Sequence, residues 1–143
     1  MDDELDALFE AAREAAASAY APYSRYPVGA ALRARSGRVH SGCNVENAAY
    51  PQGTCAEAGA IAAMALAGDR EIAEVVVFGP GGDLATPCGG CRQKLREFAA
   101  PNTEIHVADS GGVRATFTLA DLLPHSFGPD NLRDADPPKG GKP

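Results

Sequence analysis

Apolar residues spaced by three and four open the chain. Leu5, Leu8, Phe9, Ala12, Ala16 and Ala19 form one stripe and predict an amphipathic helix over residues 3–20. Pro22 and Pro27 break that pattern, and from Val28 the period becomes two. Val28, Ala30, Leu32 and Ala34 fall on one side, with Arg33 and Arg35 on the other, as in a strand with one buried face. Ser36-Gly37 reads as a tight turn into a second strand running from Arg38 to about Gly42, so a hairpin is expected. Residues 43–53 are rich in Asn, Gly and Pro and have no period, which marks them as a functional loop.

Thr54 and Glu57 fit a capping box at the start of an Ala-rich helix that ends at Gly68-Asp69. The apolar run Val75–Phe78 predicts a strand buried on both faces, followed by a turn at residues 79–82. Pro87 suits a first helical position, so a helix is expected from there to about Phe98. Two more strands, Glu104–Ala108 and Val113–Phe117, flank the Asp109–Gly112 turn, and Leu119–Leu123 reads as a short helix. This order predicts an α/β fold: a three-layer α/β/α arrangement around a mixed sheet of about five strands. One domain is expected over residues 1–128, and the Pro- and Gly-rich segment 129–143 reads as a flexible tail.

Composition narrows the function. At 143 residues with 45% hydrophobic and 22% charged positions, the chain can bury a core. Its net charge of -6 argues against a nucleic-acid partner, and Arg33, Arg35 and Arg38 read as the solvated face of the hairpin. Asp2, Asp3 and Glu4 do not form the basic start of a signal peptide, and no apolar run approaches the roughly 18 residues of a membrane span. A cytoplasmic protein with no membrane partner is expected. Its four cysteines then read as thiols or metal ligands rather than a disulfide framework.

Two segments carry the candidate chemistry: Cys55-Ala56-Glu57 and Pro87-Cys88-Gly89-Gly90-Cys91. A catalytic zinc keeps three protein ligands and leaves a fourth position for water, and Cys55, Cys88 and Cys91 supply three thiolates. Two predicted helix starts would bring them together, where the helix dipole favours the thiolate form. Glu57 is then placed to move protons beside a metal-bound hydroxide, a layout shared with the zinc deaminase signature. Three thiolates on a divalent cation leave excess negative charge. Arg92 would offset part of it, and Gln93 would hydrogen-bond sulfur. Other readings stay open: Cys43 could close a four-thiolate structural site, the C-x-x-C pair could be redox-active, and Glu57 could simply complete the capping box. His40, His106 and His125 lie outside the motif, and His106, between Ile105 and Val107, is expected to point outward from its strand.

The chain resembles the small, homotetrameric cytidine deaminases of pyrimidine salvage from Tyr23 to Phe127. The resemblance rests on five segments in order: residues 23–31 (YSRYPVGAA), 42–50 (GCNVENAAY), 55–57 (CAE), 87–93 (PCGGCRQ) and 122–127 (LLPHSF). It implies zinc held by Cys55, Cys88 and Cys91, with Cys43 free and no organic cofactor. It also implies that a zinc-bound hydroxide attacks C4 of the base while Glu57 shuttles protons to N3 and to the departing ammonia. Asn44 and Glu46 would hold the ribose 3′-hydroxyl, and Tyr26 would lie against the pyrimidine where the family usually places Phe. Backbone groups around Ala56 and Cys88 would meet the base, and Tyr50 and Phe127 would complete pockets across subunit boundaries of a homotetramer. Ala58 stands where the family often has Arg, so compensation of the thiolates must come from Arg92, the helix dipoles or another donor. The function implied is hydrolytic deamination of cytidine and 2′-deoxycytidine. The rivals are a deaminase of another aminopyrimidine nucleoside, of the blasticidin type, and a non-enzymatic structural-zinc or redox protein.

Overall fold

The computed structural model describes residues 2–133. Helix α1 spans Asp3–Ala17; Asp2 caps it by accepting the Leu5 N–H at 2.8 Å, and Leu8, Ala12 and Ala16 form its buried stripe. It stops short of the expected residue 20 because the Tyr20 backbone is paired elsewhere. The Tyr20 N–H donates to the Asn44 carbonyl, and the Tyr20 carbonyl accepts from the Glu46 N–H.

The hairpin consists of β1 (Gly29–Ala34) and β2 (Val39–Cys43). It is followed by α2 (Ala56–Leu66), β3 (Ile72–Phe78), α3 (Gly89–Phe98), β4 (Ala99–Asp109), β5 (Gly112–Thr118) and α4 (Leu119–Leu122). The strands form one sheet in the order β2-β1-β3-β4-β5, with β3 and β4 parallel and the other pairs antiparallel. A parallel pair cannot be joined by a tight turn, and α3 makes the crossover between β3 and β4. Strands β3 and β4 each begin earlier than their apolar runs suggest, because Ile72 pairs with Ala99 before a register shift brings Glu74 opposite Glu104.

Helices cover both faces. Ala30, Leu32, Val75, Val77 and Ile105 pack on one side with residues of α2, α3 and α4, including Met64, Leu95 and Leu119. Ala31, Val76 and Ala108 pack on the other with Leu8 and Ala12 of α1. This is the expected three-layer α/β/α arrangement with a mixed five-stranded sheet. Two glycines set the spacing between layers. A Cβ on Gly29 would lie 2.0 Å from the Ala12 carbonyl oxygen, and one on Gly42 would lie 2.4 Å from the Ala60 nitrogen. Helix α1 on one side and α2 on the other therefore press their backbones against the hairpin.

His106 does not point outward into solvent. It is 4% exposed, and its ring nitrogens lie 2.6 Å from Glu74 Oε2 and 2.7 Å from Thr116 Oγ1. Arg33 Nη2 donates to the other oxygen of Glu74 at 2.6 Å, completing a polar row across β1, β3, β4 and β5. Alternation placed His106 off the main core correctly, but that second face is itself covered. The hairpin arginines are likewise paired: Arg33 with Glu74, Arg35 with Glu71, and Arg38 with Asp69. Asp69, just beyond α2, also meets His40 at 2.8 Å, and Arg38 and His40 hold its carboxyl well below the usual range.

No helix among the described residues is long and apolar enough to cross a membrane. Pro129–Arg133 forms a short helix, α5, at the start of the segment expected to be a flexible tail, and the rest of that segment lies outside the described residues.

Candidate active site

Both helices that follow the cysteine segments start later than the sequence suggests, α2 by one residue and α3 by two. Thr54 is held in an antiparallel bridge with Val45, its N–H donating to the Val45 carbonyl at 2.9 Å. Its backbone therefore cannot cap the helix, and Cys55 becomes the N-cap of α2 with no side-chain capping bond. The Thr54–Glu57 capping box does not form, which removes the simplest structural role for Glu57. Cys88 is in the same way the N-cap of α3, with the buried Pro87 before it rather than inside the helix. Each thiol thus sits where an N-cap side chain usually bonds the helix N–H groups, and each is free for another partner.

The sulfurs of Cys55, Cys88 and Cys91 all lie within 4.8 Å of one another. Cys55 and Cys88 are 3.9 Å apart, much farther than the roughly 2.05 Å of a disulfide. Sulfurs about 2.3 Å from a shared tetrahedral zinc stand about 3.8 Å apart, so the donor set fits that ion and leaves one position open. Cys43 is not part of this group, which does not match the closed four-thiolate reading.

Electrostatics agrees with a site built for a cation. Burial, the Glu57 charge and the Cys55 charge push the Cys91 thiol far above its ordinary value. Burial and the Cys88 charge push Cys55 up as well. Cys88 alone is lowered, chiefly by the nearby Cys91 backbone N–H. Three thiolates repel one another here, and a divalent cation is what would make all three ionise together. Glu57, 5% exposed, projects from the first turn of α2. Burial pushes its carboxyl up, while its own N–H, the Cys91 thiol and Lys94 pull less strongly the other way.

Cys55, Glu57 and Cys88 open into a cleft of about 590 Å³. Of the residues singled out in the sequence, Tyr26, Asn44, Glu46, Tyr50 and Ala56 also line it. Asn44 is fixed in orientation: its Oδ1 accepts the Val28 N–H at 2.9 Å and its Nδ2 donates to the Tyr26 carbonyl at 2.8 Å. Phe127 does not line the cleft and is 59% exposed. Arg92 donates from Nε to the Pro87 carbonyl at 2.7 Å and from Nη1 to the Leu122 carbonyl at 2.8 Å. Gln93 donates to the Phe127 carbonyl at 2.8 Å. Both side chains therefore spend these bonds on carbonyls, tying α3 to the segments around α4.

Sequence reasoning passed over five residues around the site. Ser24 lines the cleft and lies inside the motif at residues 23–31, where it drew no role. Leu84, Ala85 and Thr86 line the side leading into Pro87, and only their nearness to Cys88 in sequence could have marked them. Lys94 is the cation acting on Glu57, and its position one helical turn after Cys91 was a usable signal.

Comparison with known proteins gives a consistent result. Residues 2–107 match the model of the cytidine and deoxycytidylate deaminase zinc-binding region. A cytidine deaminase from Sporosarcina psychrophila is 35% identical over 129 residues, which is 90% of this chain and 95% of the relative. One from Mycobacterium tuberculosis is 40% identical over 121 residues, covering 85% and 87%. The 1.6 Å crystal structure of cytidine deaminase from Burkholderia pseudomallei superposes with a TM-score of 0.80 at 42% identity, over 89% of this chain and 100% of that one.

Proposed function

The chain belongs to the cytidine and deoxycytidylate deaminase family, and on that premise we propose that it deaminates cytidine and 2′-deoxycytidine to uridine and 2′-deoxyuridine, releasing ammonia. The observation that carries this reading is the convergence of three thiols and one buried carboxyl on a cleft that also holds Asn44 and Glu46. Zinc bound by Cys55, Cys88 and Cys91 supplies Lewis acidity that lets water act as a nucleophile at neutral pH. Glu57 takes the proton released as water adds to C4 and delivers it to N3, then collects the remaining proton of the C4 hydroxyl and passes it to the amine, which leaves as ammonia while the C4 carbonyl forms. Asn44 and Glu46 bind the ribose 3′-hydroxyl, Tyr26 packs against the pyrimidine, and backbone groups near Ala56 and Cys88 orient the base. With Ala58 in place of the usual Arg, the first turn of α3, Arg92 beside it and Lys94 supply the compensating positive charge.

The cleft walls favour a nucleoside over a nucleotide. Among the described residues they include Glu46 and Glu57 and no Lys or Arg, so a 5′-phosphate would meet like charge without a partner there. Ultraviolet-monitored turnover by zinc-loaded protein tests both points. Cytidine and 2′-deoxycytidine should be converted, with cytidine 5′-monophosphate lower by about a hundredfold or more in kcat/KM. Chelation should abolish the activity. Zinc-bound protein that leaves both nucleosides untouched would overturn the reading.

The same reading extends to a homotetramer, cytoplasmic and acting in pyrimidine salvage. Helix α2 is apolar on nearly all sides, a pattern that normally means burial, yet Leu66 on it is 91% exposed in the single chain. Tyr50 is 75% exposed beside the cleft, and Phe127 stands out on the segment held by Gln93. Neighbouring copies covering these surfaces would complete the pockets. Light scattering should give a mass of four chains, and a monomeric mass for active protein would sink this part.

A further inference from the structure

Glu46 is described above as a ribose ligand, yet most of its bonding capacity is already used by this chain. Its Oε1 accepts the Tyr23 N–H at 2.9 Å and the Ser24 N–H at 3.1 Å. Its Oε2 accepts the Ser24 hydroxyl. A carboxylate has about four acceptor positions, so one remains, on Oε2. The Ser24 hydroxyl has a fixed polarity because it also accepts the Tyr26 N–H at 3.0 Å. An amide can only donate and an ionised carboxylate can only accept, so the hydroxyl must point its proton at Glu46.

We propose that Ser24 is a positioning residue that sets the selectivity for a sugar 3′-hydroxyl, by fixing the Glu46 carboxylate so that its single free acceptor position faces the cleft. This rests on the reading of Glu46 as the ribose ligand. Two features support it. The hydrogen bond from Ser24 is the leading cause holding the Glu46 carboxyl below its ordinary value, as expected of a bond made to the ionised form. The turn that presents Ser24 is also strained, since Arg25 has φ 55, a left-handed conformation in a residue other than glycine. Glu46 holds the start of this turn and Asn44 its end, at the Tyr26 carbonyl and the Val28 N–H. One hydroxyl thus links the sugar ligand to the segment carrying Tyr26 into the cleft.

The test compares cytidine with 3′-deoxycytidine for wild type, Ser24→Ala and Ser24→Thr, each zinc-loaded. Wild type should favour the 3′-hydroxyl by about tenfold or more in kcat/KM, the worth of a hydrogen bond to a charged group. Ser24→Ala should raise KM for cytidine by about tenfold, with kcat within about twofold and little change for 3′-deoxycytidine. Its preference should therefore nearly vanish, and Ser24→Thr should restore it. A merely structural role would weaken both substrates alike. Wild-type preference in Ser24→Ala overturns the role of Ser24 and leaves the Glu46 reading standing. Indifference of the wild type to the 3′-hydroxyl overturns the Glu46 reading itself. Should Ser24→Ala fail to fold, a folded Ser24→Thr that has lost the preference overturns the inference in its place.

Discussion

Replacing Glu57 by glutamine should lower kcat for cytidine by about a thousandfold or more, while the protein stays folded and keeps its zinc. General acid–base catalysis contributes about a hundred- to ten-thousandfold, and one carboxyl serving two proton transfers places the loss high in that range. A thousandfold corresponds to about 4 kcal/mol of transition-state stabilisation. Glutamine matches glutamate in size, so the Ala56–Leu66 helix and its buried neighbours are undisturbed. Folding stability should not fall, because a neutral amide replaces a carboxyl buried in the first turn of α2. The experiment therefore reads turnover, bound zinc and melting on one preparation. Loss of zinc along with activity would make Glu57 a ligand rather than a proton carrier. Near-normal turnover would remove it from the chemistry.

Gly42→Ala should destabilise the protein by about 3 kcal/mol, near the top of the usual range for overpacking. Two effects oppose each other. Alanine restricts the unfolded chain and would by itself favour folding by up to about 1 kcal/mol. The added Cβ, however, would stand 2.4 Å from the Ala60 nitrogen and 2.7 Å from the Ala56 carbonyl oxygen. These are backbone atoms of α2, so relief requires moving the helix that carries Glu57, and activity should fall with stability. Gly59→Ala, across the same contact, is the control. Its Cβ would come no nearer than 3.4 Å to Gly42, and glycine inside a helix costs about 1 kcal/mol relative to alanine. Chemical denaturation should show Gly42→Ala far below wild type and Gly59→Ala close to it. Equal stability of the two variants would mean that α2 is not pinned at this point.

Much of the site could be read from spacing. Cys88 and Cys91 lie three apart near the start of a helix, and Glu57 lies two residues beyond Cys55, so a trio of thiols with a carboxyl beside it follows once two helix starts converge. The helix starts themselves were misplaced, by one residue for α2 and by two for α3. Thr54 has the composition of a cap, but the bridge to Val45 claims its backbone, and that bridge joins residues nine apart across an aperiodic loop. Ser24 and Glu46 are 22 residues apart, and no local pattern links a serine in a turn to a carboxylate past the hairpin. The partners of Arg92 and Gln93 were hidden for the same reason, as both side chains reach carbonyls about thirty residues away or at the far side of a cap.

The sequence by itself determined the order of elements, the mixed α/β class and the residue types able to hold a metal and move a proton. Those properties depend on side-chain period and chemistry, which are local. The tertiary structure alone decided which strand face was truly exposed, as the burial of His106 shows, and which side chains were already occupied. It also decided that Cys55 and Cys88 would be caps, leaving both thiols free to point at one place. Those outcomes depend on which distant backbone groups satisfy one another, and a hydrogen bond between residues far apart in the chain leaves no period in the sequence to read.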